Sequence, residues 1–401
     1  MNHTDLYVKT FSDSLKDKKI DVVISGSIGA VEAPRLLRAL RRLGAKVHPV
    51  LTEGGAQFTT PLAVSWAANN PITTEFSGQA PHIAINDACI VTPASANIIA
   101  DIAGGRTSTP ATALIQSYLG QNKAVIVLPN MHESLYDSPL VKANCEKVNQ
   151  FTRFLAPRRE EGKLKFPDPA VLADQISHEI NAHNHKRPST LISMGTTRGY
   201  LDDIRYFSNY SSGTLGSVIS EEAYRRGFKT NIITGPCYRK PKSFTSLTQI
   251  ETNQELEQHC LSLATQVDVA ICAASVLDFV PTKRITGKIK SSEDLTVSFS
   301  RTNKIIEKIR TRAKIKVGFK LEVNSTEETA KKISTDYMEK YNLSLMIVNQ
   351  KSEVSEVEHK AQLFTRGSDN TAVSIGHFTG KQGVAKAIVD NISKQFEQNS
   401  Q

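Results

Sequence analysis

Asp21-Val-Val-Ile-Ser-Gly-Ser-Ile-Gly29 is a β-branched run that stops on small residues and glycine, after which the hydrophobic period changes. Leu36, Leu37, Leu40 and Leu43 then share one helix face, Pro34 falls in its first turn and Gly44 closes it. A short apolar strand, a glycine turn and an amphipathic helix form the opening unit of a doubly wound α/β sheet. The same grammar repeats: 46–52, 87–95 and 123–129 read as further buried strands with helical segments between them. Apolar strands separated by helices predict a mostly parallel sheet covered on both faces.

Residues 178–188 (HEINAHNHKRP) break the pattern with polar residues ending in proline and read as a linker. Beyond it strands are expected at 189–194, 229–234, 267–275, 314–319 and 343–349, with a helix at 214–226 carrying Leu215, Val218, Ile219 and Ala223 on one side. Residues 361–378 read as an antiparallel pair and 381–396 as a closing helix. A chain of 401 residues exceeds what one core usually supports. The expectation is therefore α/β, two tandem Rossmann-like domains, 1–177 and 189–401.

Lys plus Arg number 49 against 40 Asp plus Glu, a net charge of +9 that suits anionic ligands. The excess is not organised for nucleic acid: there is no zinc finger, basic helix or aromatic interleaving. No run approaches the roughly 18 apolar residues of a spanning helix, and the first twenty residues lack an apolar signal core. Five cysteines without a C-x-x-C pair argue against disulfides and structural zinc and fit a reducing cytoplasm. His178, His183 and His185 match no metal-ligand spacing and read as solvated linker histidines.

Ligands of open α/β sheets sit beyond the carboxyl ends of the strands. In the first half those ends are Ser25-Gly26-Ser27-Ile28-Gly29, Thr52-Glu53-Gly54, Thr92-Pro93-Ala94-Ser95-Ala96-Asn97 and Leu128-Pro129-Asn130-Met131-His132. Any one of them is a tight turn with a cap; four in succession indicate a phosphate-bearing cofactor.

G-S-I-G at 26–29, His82-Ile83, P-A-S-A-N at 93–97 and P-N-M-H-E-S-L-Y at 129–136 together resemble the homo-oligomeric flavin-containing cysteine decarboxylases. The second half resembles phosphopantothenate–cysteine ligase. The chain as a whole is thus similar to the bifunctional phosphopantothenoylcysteine decarboxylase/phosphopantothenate–cysteine ligase family of coenzyme A synthesis. The resemblance implies a flavodoxin-like first domain holding FMN through Ser27, Ser95 and Asn97, with Gly26, Gly29 and Thr52 as neighbours. It implies an active-site role for His82, with Asn130 and His132 holding the substrate carboxylate, His132 standing where the family has asparagine. Decarboxylating a cysteinyl amide needs an electron sink; on the family's pattern the thiol is oxidised to a thioaldehyde, CO₂ is lost and the electrons return. A histidine near the thiol can accept its proton. Relatives carry a cysteine on a flexible lid; the corresponding 156–163 (APRREEGK) has none, and Cys145 lies outside it. Two other readings stay open: a flavin-binding regulatory or scaffolding protein with inactive sites, and a ligase whose first domain acts on another small substrate.

In the second half Gly195-Thr196-Thr197-Arg198, Asp202-Asp203-Ile204-Arg205, Asn209-Tyr210-Ser211-Ser212-Gly213, Ala273–Phe279 (AASVLDF), Lys288-Ile289-Lys290 and Val317-Gly318-Phe319 resemble ligase motifs. Thr196 and Tyr210 replace a glycine and an arginine of that pattern. The amides of Ser211, Ser212 and Gly213 ahead of a helix can hold a phosphate, and a plain cap explains the serines equally well. The resemblance assigns Asn209 to the acyl-nucleotide, as an amide able to donate to an oxyanion, and Lys288 and Lys290 to triphosphate charge. Asp278 would coordinate Mg²⁺ or bond a ribose; Asp203 and Arg205 would face phosphopantothenate or fix the loop; Phe279 and Phe319 complete the expected nucleotide and substrate contacts. The implied reaction joins cysteine to 4′-phosphopantothenate with a nucleotide triphosphate, typically CTP. The family also implies a trimer-forming first domain and a dimer-forming second.

Overall fold

The computed structural model describes residues 6–160, 163–183, 185–242, 247–290, 294–354 and 359–399. The chain divides into two compact units, one up to His185 together with Arg225–Gly227, the other comprising the remainder.

The first unit runs β1 (Lys19–Ile24), α1 (Ala33–Arg42), β2 (Lys46–Leu51), α2 (Glu53–Ala56), α3 (Pro61–Ala68), β3 (Ala88–Ala94), α4 (Ala96–Ala103), α5 (Pro110–Gly120), β4 (Ala124–Pro129), α6 (Glu133–Tyr136), α7 (Pro139–Asn149), β5 (Arg153–Phe154), the hairpin β6 (Arg158–Glu160) and β7 (Lys163–Lys165), and α8 (Pro169–Ala182). Five strands make a parallel sheet in the order β2-β1-β3-β4-β5. Side-chain alternation sends Val22, Ile24, Val47 and Ile126 to one face, under α1, α3 and α8, and Val23, Val50, Val91 and Val127 to the other, under α4, α5 and α7. Both faces are buried, which is why the strands read as apolar runs rather than alternating ones. The outer edge of β2 contains Pro49 and is bridged by Thr73, whose backbone exchanges hydrogen bonds with Leu51 (2.9 Å) and Pro49 (3.0 Å).

Residues 178–182, expected to open the linker, are the last turns of α8. Leu172, Ile176 and Ile180 recur every four residues and stay buried, so the helix continues beneath its polar outward face. Asn184 of that stretch and Glu161 and Gly162 of the expected lid lie outside the described residues.

The second unit comprises β8 (Ser189–Met194), β9 (Arg198–Tyr200), β10 (Tyr206–Ser208), α9 (Thr214–Arg225), β11 (Lys229–Thr234), β12 (Leu247–Gln249), α10 (Asn253–Ala264), β13 (Val269–Cys272), β14 (Phe279–Pro281), β15 (Phe299–Arg301), α11 (Ile305–Lys308), β16 (Ile315–Glu322), α12 (Glu327–Tyr341), β17 (Leu345–Gln350), β18 (Lys360–Arg366), β19 (Ala372–Thr379) and α13 (Gly380–Gln398). Its eight-stranded sheet has the order β12-β11-β8-β13-β16-β17-β18-β19, parallel from β12 through β17 and antiparallel thereafter. Helices α9 and α13 cover one face and α10 and α12 the other. Two short hairpins, β9–β10 and β14–β15, leave the ligand edge of the sheet. No helix is long and apolar enough to cross a membrane among the described residues.

Candidate active sites

In the first unit the strand-end turns are braced against one another. The Ser25 hydroxyl donates to the Pro93 carbonyl (2.7 Å) and accepts from the Ser95 amide (2.9 Å), tying the ends of β1 and β3. Asn130, 4% exposed after β4, offers its Oδ1 to the Ser27 hydroxyl (2.6 Å) and the Gly29 amide (3.1 Å). A Cβ on Gly29 would lie 2.5 Å from that oxygen and 2.9 Å from the Phe166 ring. A Cβ on Gly26 would meet the Gly54 backbone at 3.0 Å, and one on Gly55 the Ile24 carbonyl at 2.5 Å. These glycines let the β1 and β2 turns pass at backbone distance. Thr52 caps α2, accepting from the Gly55 amide (3.1 Å), and Ser95 caps α4 through Ile98 (3.4 Å). Asn97 is exposed on the first turn of α4.

His82 stacks edge-on to Phe76 (ring centroids 5.5 Å apart), and its buried Nδ1 has no hydrogen-bond partner among the described residues. His132 is exposed and caps α6, its Nδ1 accepting from the Ser134 amide at 3.2 Å. Because that amide must donate, the ring proton of the neutral imidazole belongs on Nε2. The β6–β7 hairpin is laced by Glu160 to Arg158 and Lys165, both at 2.9 Å. Cys145 is buried in α7, where burial and then the neighbouring Glu146 push its thiol up. Glycine-lined turns, helix starts and an unpartnered buried imidazole fit a flavin carrying a phosphate.

The second site depends on polar pins. Gly195 has φ +77°, and a Cβ there would stand 2.6 Å from the Gly235 carbonyl. Thr196 turns its hydroxyl to the Pro236 carbonyl (3.2 Å), so the replacement of glycine is absorbed by the neighbouring loop. Asn209 donates to the Val276 carbonyl (3.0 Å), fixing its amide beside the 273–279 segment. Gly213, at φ +69°, leads from Ser211 and Ser212 into α9; the serine hydroxyls accept from the Gly213 (3.4 Å) and Thr214 (3.3 Å) amides.

Asp202, fully buried, organises the site from within. Its carboxylate accepts from the amides of Ile204 (2.8 Å), Arg205 (2.6 Å) and Ile289 (3.0 Å) and from the Arg205 guanidinium (2.7 Å), which also reaches the Ile289 carbonyl (3.1 Å). The Ile289 amide, followed by those of Arg205 and Ile204, holds the Asp202 carboxyl far below the ordinary carboxylate range. Lys288 and Lys290 are exposed on either side of the pinned Ile289. Asp203 accepts from the Gly287 amide (2.8 Å) and Arg284 (2.9 Å), which lower its pKa. Of the two roles open to Asp203 and Arg205, fixing the loop is the one these contacts perform. Asp278 pairs with Lys304 at 2.5 Å, and no cluster of three metal-ligating side chains occurs among the described residues. Phe279 is exposed at the start of β14, whereas Phe319 is half-buried on β16 against the core. From the sequence Asp202 is legible only within its motif, without a role of its own, and the β2 turn is read as far as Gly54, leaving out Gly55; a doubled aspartate before a turn and a doubled glycine after a strand are their signals.

Two nucleotide-type α/β units in one chain, each with its ligand edge made from strand-end turns, define a two-site enzyme. Residues 8–181 match the Flavoprotein family, and residues 185–396 match the DNA/pantothenate metabolism flavoprotein C-terminal domain. The chain is 32% identical over 408 residues to the coenzyme A biosynthesis bifunctional protein CoaBC of Thermococcus kodakarensis, covering 99% of this chain and 100% of that one. It is 26% identical to the Escherichia coli K12 CoaBC over 418 residues, covering 96% and 99%. The solved DNA/pantothenate metabolism flavoprotein of Streptococcus pneumoniae is similar to 52% of this chain and 99% of its own, at 22% identity and a TM-score of 0.46. The chain belongs to the family of bifunctional coenzyme A biosynthesis proteins, with a flavoprotein decarboxylase half and a phosphopantothenate–cysteine ligase half.

Proposed function

We propose that the second unit joins cysteine to 4′-phosphopantothenate at the expense of CTP and that the first unit decarboxylates the product with FMN, giving 4′-phosphopantetheine. The observation that carries the reading is the Asp202–Arg205 clamp on Ile289, which fastens the segment bearing Lys288 and Lys290 through the Ile289 backbone. Two cations so held can neutralise triphosphate charge as it develops on the leaving group. Asn209, oriented by Val276, is assigned to the acyl-nucleotide carbonyl, and the Ser211–Gly213 amides to a substrate phosphate. Mg²⁺ suits a site with few protein ligands, since it is commonly held by phosphate oxygens and one or two carboxylates; Asp278 is the proposed carboxylate, exchanging Lys304 for the metal.

In the first unit the Gly26, Gly29 and Gly54 turns, with Thr52, Ser95 and Asn97, are assigned to FMN. The flavin, when bound, supplies the two-electron oxidation that makes the carboxylate a leaving group. His82 takes the thiol proton on its unpartnered nitrogen. Asn130 and His132 hold the carboxylate end of the substrate. With no thiol on the hairpin and Cys145 buried and protonated, the returning proton is assigned to Nε2 of His132. We further propose cytoplasmic residence, suited to the five free cysteines, and an oligomer built from trimeric first units and dimeric second units. Incubating the purified protein with phosphopantothenate, cysteine and CTP and resolving products by mass spectrometry tests the reading. Phosphopantetheine is the expected product. Phosphopantothenoylcysteine alone removes the decarboxylase, and neither compound removes both activities.

A further inference from the structure

A cavity of about 270 Å³ opens at the amino-terminal end of β1 and β2, the end opposite the glycine turns. Its walls include Lys19, Arg41, Lys46 and His48, with Asn69 and Asn70. Lys19 and Lys46 are register partners at the starts of neighbouring parallel strands, which lie about 4.8 Å apart. Like charges placed directly across a ladder repel. Arg41 is held rigidly by the carbonyls of Ala67 (2.9 Å) and Leu6 (2.7 Å), and burial together with the nearby Arg38 lowers its pKa.

The acids nearby are engaged elsewhere. Asp87 accepts from the Lys19 backbone amide (2.8 Å) and pairs with Lys18 (3.4 Å). Asp21 is buried, accepting from Asn86 (2.9 Å) and Tyr118 (2.6 Å), and is the register partner of His48 rather than of either lysine. No ion pair to a carboxylate is made by the side chains of Lys19, Arg41 or Lys46 among the described residues. Lys19, Arg41 and Lys46 therefore line one concavity without an ion pair of their own, and the Asn69 amide adds a neutral donor and acceptor, that of Asn70 being committed to the Val47 carbonyl (2.6 Å).

We propose that this cavity binds the phosphate group of a small anion, at a site separate from the flavin and nucleotide positions. A multiply charged tetrahedral anion satisfies a ring of ammonium and guanidinium donors better than a single carboxylate does. Its volume accommodates pyrophosphate or a short phosphomonoester as well as inorganic phosphate. This inference stands independently of the reaction assigned to the two units.

The test is equilibrium dialysis of labelled inorganic phosphate, pyrophosphate and glycerol 3-phosphate, each in turn, against the full chain loaded with FMN and saturating nucleotide. Wild type should bind at least one of the three saturably at a site that remains when the other positions are filled. The double variant Lys19→Gln/Lys46→Gln, altering two exposed side chains, should weaken that binding at least ten-fold and leave the bound-flavin spectrum unchanged. A parallel melting series should show anion-dependent stabilisation in wild type and its loss in the variant. Which of the three binds most tightly identifies the natural chemistry. Equal saturable binding by wild type and variant, or the absence of a saturable component in wild type, overturns the proposal.

Discussion

The two ligand edges solve the same problem with different materials. In the first unit, glycines bring turns of one sheet into backbone contact, and hydroxyls and Asn130 fasten them. In the second, the decisive segments leave the sheet on hairpins and are fastened by the charged side chains of Asp202, Asp203, Arg205 and Arg284. A site made of backbone contact tolerates changes in ionisation; a site made of carboxylate pins does not. The lesson is that similar α/β frames can place rigidity either in packing or in charge.

The largest effect expected from separating the two is that of His82→Asn, which should abolish CO₂ release and leave pyrophosphate production unchanged. Loss of both together would show that the units do not act separately. Next, Lys290→Gln should slow acyl-nucleotide formation on the order of 10²-fold and raise the nucleotide KM, with bound flavin unaffected. Pyrophosphate release measured with and without cysteine is the readout, and an unmodified rate would remove Lys290 from the site.

Asp202→Asn should cost roughly ten-fold in ligation, because an amide nitrogen in place of Oδ2 can accept from neither the Ile289 amide nor the Arg205 guanidinium and leaves those donors unpaired. The same carboxylate gives the second unit an acid limit. A carboxyl whose folded pKa is depressed contributes stability above its unfolded value, about 3.9, and loses it as pH falls through the folded value. His359 acts in the same direction from higher pH: burial lowers it from 6.5 to about 4, so protonation of the unfolded state erodes stability between those values as pH falls. Ligation should therefore be lost on acidification before flavin is released, with intrinsic flavin fluorescence following the first unit. Flavin release first would reverse the comparison. The smallest effect is expected of Gly29→Ala, where a methyl 2.5 Å from Asn130 Oδ1 forces that side chain to shift; flavin affinity should fall several-fold, read by fluorescence titration, while ligation is retained.

Much of this was legible in the residues. Strand ends at Ile24, Leu51, Ala94 and Pro129 fall within a few positions of those expected, because apolar runs buried on both faces have sharp polar or glycine limits. The expected linker at 178–182 proved helical because Ile176 and Ile180 continue a buried face that polar neighbours disguise. Within the candidate sites, the glycine turns were visible as small residues after apolar strands, whereas the K-I-K segment was visible only through the family resemblance. The partner of Asp202 could not: Ile289 lies 87 residues away and is met through backbone atoms, which carry no signature of side-chain identity. The cavity beside Lys19 and Lys46 escaped for a related reason, since strand register brings together charges that sequence keeps 27 positions apart.

The treatment of β2 bears on how the protein behaves when crowded. An outermost strand normally offers a row of free amides and carbonyls to any passing chain. Here Pro49 removes one donor from that row, and Thr73 occupies the neighbouring positions from outside. At the other margin of the same sheet β5 contributes only two residues, too little to template a new partner. Among the described residues neither margin of this sheet presents a long free edge, so strand addition at the first unit is disfavoured and association between first units has to proceed through helices and loops.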